Sequence, residues 1–261
     1  MPEQSDARVA IVAGAGDGIG RACAIALARA GANVALAARR PGPLKELADA
    51  IGELTGRRVI AVPTDLADQD ACEALVETTA AELGRVDTVV NVATYNPAAR
   101  LEDIDVDEFR RAFDINVLGV LAVSRAALAH MRAVGGGSIV QISSEAPRAK
   151  LVRMGAYAAT KGAMEIASGV LAKEVGPDGI RVNVVVAGYT DNAKLAAYID
   201  EIAERRGVPR ETVHDEMTKS SALRRLTQPQ DIADVVAFLA SDGARALTGT
   251  ITPVTSGVSF G

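Results

Sequence analysis

Tryptophan is absent from this 261-residue chain and aromatic residues make up only 3% of it, which excludes the stacking platforms that hold single-stranded nucleic acids. Positive charge is short as well. The 28 Lys and Arg are outnumbered by 33 Asp and Glu, for a net charge of -5, whereas a phosphate-backbone binder needs a basic face. No nucleic-acid partner is expected. The chain has two cysteines, Cys23 and Cys72, and two histidines, His130 and His214; their spacing matches no metal-ligand pattern, so no metal is expected. The opening "MPEQSDARVAIVAG" sets Glu3 and Asp6 before a short apolar run and lacks the basic region and long apolar core of a signal peptide. No uncharged run combines the length and apolarity needed to span a bilayer, the nearest being residues 246–261, which contain Thr, Ser and Pro. The expectation is a cytoplasmic protein with reduced thiols and no membrane partner.

What the sequence does contain is a regular alternation. With 49% hydrophobic residues the chain has material for a large core. Seven short runs read as strands: "RVAIVAG", "ANVALAA", "RRVIAV", "RVDTVVNVA", "GGSIVQISS", "GIRVNVVVA" and "GTITPV". Their near-continuous apolar character implies burial on both faces, hence a parallel sheet. Helical patterns fall between them at 18–30, 43–55, 68–83, 106–133, 155–175 and 228–240. The implied fold is α/β, a doubly wound Rossmann-type sheet with helices on both faces. No linker, repeat or charge block divides residues 1–261, so one domain is expected. An extra charged helical insertion at 189–222 interrupts the rhythm and reads as a lid over the substrate.

After the first strand comes "AGAGDGIGRA", with Gly14, Gly18 and Gly20 in a G-x-x-x-G-x-G spacing. Glycines at a strand-to-helix turn let the backbone approach a pyrophosphate and leave it at the positive end of a helix. Farther on, "GAYAATKGAME" places Tyr157 and Lys161 four residues apart, so both polar ends share one helix face. Ser144 precedes Tyr157 by thirteen residues, and Asn116 stands in "FDINVLGV".

The glycine spacing, the Tyr157/Lys161 pair, Ser144 and Asn116 together resemble the short-chain dehydrogenase/reductase family in its single-domain form, from Ala7 to about Val258. The resemblance implies a nicotinamide dinucleotide cofactor that carries the hydride. Tyr157 would be the general acid/base, its phenol lowered from its usual pKa of about 10 by the Lys161 ammonium and by the positive charge of the oxidised nicotinamide. By the same resemblance Lys161 also bonds the nicotinamide ribose, Ser144 holds the substrate oxygen, and Asn116 orders a water relaying protons to Lys161. The implied cofactor wall comprises Gly14, Asp17, Gly18, Ile19, Gly20, Arg39, Asp65, Leu66, Asn91, Ala93 and Gly188, together with Tyr157 and Lys161. Pairing through the helices at 106–133 and 155–175 would give a homotetramer.

The chain departs from the family pattern in four places. "NVAT" replaces Asn-Asn-Ala-Gly, putting Thr94 where glycine usually lets adenosine approach; Ala187-Gly188 replaces Pro-Gly; Asn192 stands where threonine commonly meets the nicotinamide carboxamide; and the ending "TPVTSGVSFG" lacks Asp-Gly-Gly. Thr94, Ala187 and Asn192 motivate an alternative, a catalytically silent dinucleotide-binding sensor or scaffold. At the end of the second strand, where an NAD site wants an acidic residue, stands Ala38, followed by Arg39 and Arg40. Guanidinium groups suit a 2′-phosphate, so NADP is expected over NAD, with Asp17 as the opposing charge. The small-molecule substrate is read as a ketone or secondary alcohol, medium-sized and hydrophobic or alicyclic, beneath the apolar stretch from Ala193 to Ile199. A second option, an acyl-carrier or CoA thioester, rests on a basic rim of Arg148, Lys150 and Arg153.

Overall fold

Nearly continuous runs of Val, Ile, Leu and Ala form the strands of the computed structural model, which describes residues 7–258. The N-terminal Glu3 and Asp6, and the last three residues of the unusual ending, lie outside the described residues. The strands are β1 (Val9–Ala13), β2 (Asn33–Ala38), β3 (Val59–Pro63), β4 (Thr88–Asn91), β5 (Gly137–Ser144), β6 (Ile180–Ala187) and β7 (Ile251–Val254). All pair in parallel in the order β3-β2-β1-β4-β5-β6-β7. Helices cover both faces: α1 (Ile19–Arg29), α2 (Pro41–Thr55), α3 (Gln69–Leu83), α4 (Val106–Phe113), α5 (Val120–Ala133), α6 (Ala146–Ala149), α7 (Gly155–Val175), α8 (Ala193–Arg206), α9 (Arg210–Ser220) and α10 (Pro229–Ala240). The doubly wound, single-domain reading of the sequence holds.

Each face of the sheet buries its own cluster. Val12, Val34 and Leu36 pack with Leu27, Ile51, Ile232 and Leu239 on one side. Ile11, Val89 and Ile139 pack with Leu75, Val76, Val123 and Met131 on the other. Each fully buried aliphatic side chain contributes roughly 1.5–3 kcal/mol, so the two clusters carry most of the stability. Local signals set the helix ends. Asp68 accepts from the Ala71 N–H at 3.2 Å to start α3, Gln228 and Asp231 form a capping box on α10, and Pro41 opens α2 two residues earlier than the sequence pattern suggests. Pro253 sits in β7, an edge strand, where a missing N–H is tolerated.

Two features differ from the sequence reading. The helix expected at 106–133 is broken by a π-helical segment, Asp114–Gly119, between α4 and α5; the wider turn carries Asn116, in keeping with the frequent use of such bulges at functional sites. By length and composition Val106–Ala133 is also apolar enough to cross a membrane, although it carries charged residues. In the fold 56% of its apolar window is buried, with Val123, Ala127 and Met131 in the core cluster of the sheet. Residues 189–222 contain α8 and α9, whose Leu195, Ile199, Ala203, Val213 and Met217 form a third, small core.

The strand order reverses between β1 and β4, and such a switch point opens a crevice at the carboxyl ends of the strands. Gly14 closes this junction with φ of +103°, and a Cβ built on it would lie 2.2 Å from the Ala93 backbone nitrogen. Gly14→Ala should therefore combine left-handed strain with a backbone clash and destabilise the fold by about 1–3 kcal/mol. A lowered thermal midpoint would show this; an unchanged one would mean that the β1 and β4 loops can part freely.

Candidate active site

A cleft of about 960 Å³ opens at the switch point, with the glycine turn, the ends of β1, β2 and β4 to β6, α7 and α8 in its wall. Every site residue expected from the sequence lines it except two, Asn91 and Asn116. Asn91 is buried at the end of β4, and its amide donates to the Ser124 hydroxyl at 3.2 Å and to the Val120 carbonyl at 3.5 Å. It braces α5 behind the cleft. Asn116 is fully buried and its amide is committed: it donates to the Tyr95 carbonyl at 2.7 Å and the Thr160 hydroxyl at 2.9 Å, while its oxygen accepts from the Tyr95 N–H at 2.7 Å. It ties the loop after β4 to α7.

At one end of the cleft the turn after β1 folds back on β2, where the Ala37 carbonyl accepts from Gly14 and Ala15 N–H at 2.8 and 2.9 Å. Gly18 caps α1 with φ of 100° and no side-chain hydrogen bond, leaving the first amides of the helix facing the cleft. A Cβ on Gly16 would meet nothing within 4 Å. Open space, donor amides and a positive helix end fit a pyrophosphate. Arg39 and Arg40 are exposed at the end of β2 and line the same end of the cleft, with Asp17, Thr64 and Asp65 opposite.

At the other end, three consecutive residues of β5 face three residues of α7. Lys161 donates to the Ile142 carbonyl at 2.8 Å, Ser143 donates to Glu165, and the Ser144 hydroxyl lies against Tyr157. The Lys161 ammonium is 5.8 Å from the centre of the Tyr157 ring, so the pair shares one helix face as the spacing implies. Burial pushes the phenol pKa of Tyr157 up, and the Ser144 and Thr94 hydroxyls pull it partway back. The resemblance implies a phenol lowered by Lys161 together with the positive charge of the oxidised nicotinamide; in the chain alone, removal of the phenol from water raises it. Burial also lowers Lys161 to about 8, with Glu165 opposing and Lys194 adding to the fall.

Thr94 stands at this reacting end, beside Tyr157. The Tyr157 phenol aside, its buried hydroxyl has no hydrogen-bond partner among the described residues, and one buried carboxylate oxygen of Glu145 has none. Both residues line the cleft; orphaned polar atoms in an open cleft fit a bound polar molecule. Asn192 caps α8 by accepting from the Leu195 N–H at 3.0 Å, a role its position before a helical pattern could have signalled. The basic rim is not built as expected. Arg148 turns inward onto Glu165 with two hydrogen bonds of 3.1 Å, and Arg153 bonds Glu201 of α8 at 3.0 Å. Among the described residues no group of His, Cys, Asp and Glu is arranged to hold a metal.

Comparison with known proteins decides the family. The family model for enoyl-(acyl carrier protein) reductase matches residues 14–259, nearly the whole chain. This protein belongs to the short-chain dehydrogenase/reductase family. Among its relatives, a cis-4-hydroxycyclohexanecarboxylate dehydrogenase of Sinomonas cyclohexanicum is 35% identical over 98% of each chain. The L-sorbose reductase of Gluconobacter frateurii, solved with NADPH and L-sorbose, superposes with a TM-score of 0.91 at 28% identity, over 97% of this chain and 96% of the other. A 7α-hydroxysteroid dehydrogenase solved with NADH and 7-oxo glycochenodeoxycholic acid gives 0.87 at 31% identity, over 97% and 94%. This short-chain oxidoreductase therefore uses NAD(P) to transfer hydride to or from a small molecule.

Proposed function

We propose that the oxidoreductase interconverts a ketone and a secondary alcohol with NADP(H), and that Tyr157 is its general acid/base. The observation that carries this reading is the buried Tyr157 phenol, set between the Ser144 hydroxyl and the Lys161 ammonium at one end of the cleft that holds the glycine turn. The nicotinamide, when bound, supplies or accepts the hydride. Gly14, Gly18, Ile19 and Gly20 would hold its phosphates, Arg39 and Arg40 its 2′-phosphate, and Asp65, Leu66 and Ala93 its adenosine side.

With its pKa raised by burial, the phenol keeps its proton at neutral pH and serves as the acid for reduction. Ser144 donates to the substrate oxygen and fixes it against Tyr157. As the proton leaves, the Lys161 ammonium stabilises the phenolate. Lys161 loses its charge near pH 8, so kcat for reduction should fall on the alkaline side from about there. Asn116 keeps the loop after β4 against α7 through Tyr95 and Thr160; in this reading it positions the site and does not touch substrate.

Leu151, Val152, Met154, Tyr189, Leu195 and Tyr198 line the substrate end and favour a medium-sized hydrophobic or alicyclic carbonyl. The alicyclic substrates named for two of the relatives support this choice. A thioester on a carrier is disfavoured because Arg148 and Arg153 are already paired. NADPH oxidation across a panel of alicyclic, steroidal and polyol ketones tests the function. Turnover with any of them is expected; tight cofactor binding with none turned over would favour the silent sensor.

The assembly is proposed to be a homotetramer in the cytoplasm. Ile166 and Val170 of α7 are 74% and 52% exposed, and Phe113 and Leu118 are also exposed on the adjoining helices; Phe238 of α10 and Ile251 of β7 leave a second apolar face open on another side. Light scattering at micromolar concentration should give four times the chain mass, and a monomer would refute the assembly.

A further inference from the structure

Glu165 is an acidic residue in the interior of an α7 whose other buried members are mostly small or apolar. It is 9% exposed and lies one helical turn beyond Lys161, on the same face. Two independent contacts fix its carboxylate. Arg148 of α6 grips both oxygens with hydrogen bonds of 3.1 Å each, and the Ser143 hydroxyl, buried in β5, donates to one of them. Neither contact belongs to the proton-transfer groups themselves. Yet Ser143 lies between Ile142, whose carbonyl holds Lys161, and Ser144, which faces Tyr157. The carboxylate is thereby tied to the strand end that carries two parts of the site, and through Arg148 to the first turn of the segment that borders the substrate.

We propose that Glu165, clamped by Arg148 and Ser143, is a positioning residue that supplies the negative charge facing Lys161 and so sustains the ammonium on which Tyr157 depends. The proposal rests on the catalytic reading of Tyr157 and Lys161. A buried ammonium needs such a partner, because desolvation alone favours its neutral form. The titratable groups that face Lys161 are Tyr157 and Glu165 from α7 and Lys194 from α8. Arg148 stands behind Glu165 on α6, with Glu145 at the end of β5 acting on that arginine. Only Glu165 among them raises Lys161, and Lys194 lowers it. The Arg148 pairing makes the effect adjustable, since a cation against the carboxylate weakens the field that reaches Lys161.

Two substitutions should move Lys161 in opposite directions. In Glu165→Gln the favourable charge is gone and Arg148 is left unpaired, so Lys161 loses its proton at lower pH. In Arg148→Met the carboxylate is freed of its counter-charge while Ser143 still holds it, so Lys161 keeps its proton to higher pH. The test is the pH dependence of kcat for ketone reduction, joined to a carbon-13 NMR titration of lysine side chains in the cofactor-free protein. The chain has six lysines, and the Lys161 signal is assigned by its loss in Lys161→Met.

The expected result is a shift on the order of half to one pH unit, downward in Glu165→Gln and upward in Arg148→Met, in both the kinetic limb and the NMR titration. An unmoved midpoint with kcat reduced equally at every pH would mean that Glu165 is merely structural, and would overturn the proposal; so would shifts of the same sign. Should Glu165→Gln fail to fold, the exposed-side Arg148→Met decides the matter alone. The NMR titration needs no turnover, so it separates this proposal from the catalytic reading: wild-type-like activity in Lys161→Met would defeat that reading and leave the Glu165 result to be judged on the titration.

Discussion

Tyr157→Phe folds, binds NADPH with near wild-type affinity and reduces its ketone at least ~10² to 10⁴-fold more slowly, the range for loss of a positioned general acid. The substitution removes one oxygen from a half-buried ring and leaves its volume almost unchanged, so packing against β5 survives. What disappears is the side-chain proton donor that lies against Ser144 at the reacting end. In this reading Lys161, held by the Ile142 carbonyl at 2.8 Å, acts on the substrate through the phenol and does not replace it. Rates within a few-fold of wild type in a stopped-flow single turnover would remove Tyr157 from the mechanism.

Arg39→Ala is expected to weaken NADPH by roughly 10- to 150-fold, the loss of a charged hydrogen bond of ~1.5 to 3 kcal/mol, and to leave NADH almost unchanged. Arg39 is exposed at the mouth of the cleft, just after Ala38, with Asp17 of the glycine turn in the same wall. No acidic side chain ends β2 to hold ribose hydroxyls or to repel a 2′-phosphate, so the guanidinium groups of Arg39 and Arg40 dominate that corner. Because the pair is solvent-exposed, the discrimination should shrink as salt rises. Titration of the wild type showing NADH bound more tightly than NADPH, or equal weakening of both by the substitution, would make this an NAD enzyme without an acidic ribose contact.

The sequence made the sheet legible because its strands are buried on both faces: runs such as "VAIVA" and "IRVNVVVA" admit little but a central parallel strand. Tyr157 and Lys161 were legible because helix periodicity places them on one face, and Gly14 because only glycine fits a left-handed turn pressed against Ala93. What escaped notice depends on partners distant in sequence. The bond from Arg148 to Glu165 spans 17 positions and that from Asn116 to Thr160 spans 44, so an arginine expected on a basic rim turned inward, and the Asn116 amide donors went to Tyr95 and Thr160. Asn91 looked like part of the cofactor wall until the packing of α5 behind β4 claimed its amide. The π-helical segment likewise leaves no mark in apolar periodicity, because it shifts the helix by a single residue per turn.

The central claim is that this cleft moves hydride directly between nicotinamide and a carbonyl carbon. The measurement that tests it most directly is a single turnover with NADPH carrying deuterium at both C4 positions and an alicyclic ketone accepted in the panel, followed by mass spectrometry of the alcohol. One deuterium on the carbinol carbon, formed by the wild type and lost with Tyr157→Phe, is the predicted result. Alcohol without the label, or labelled cofactor held tightly and never consumed, would contradict the account.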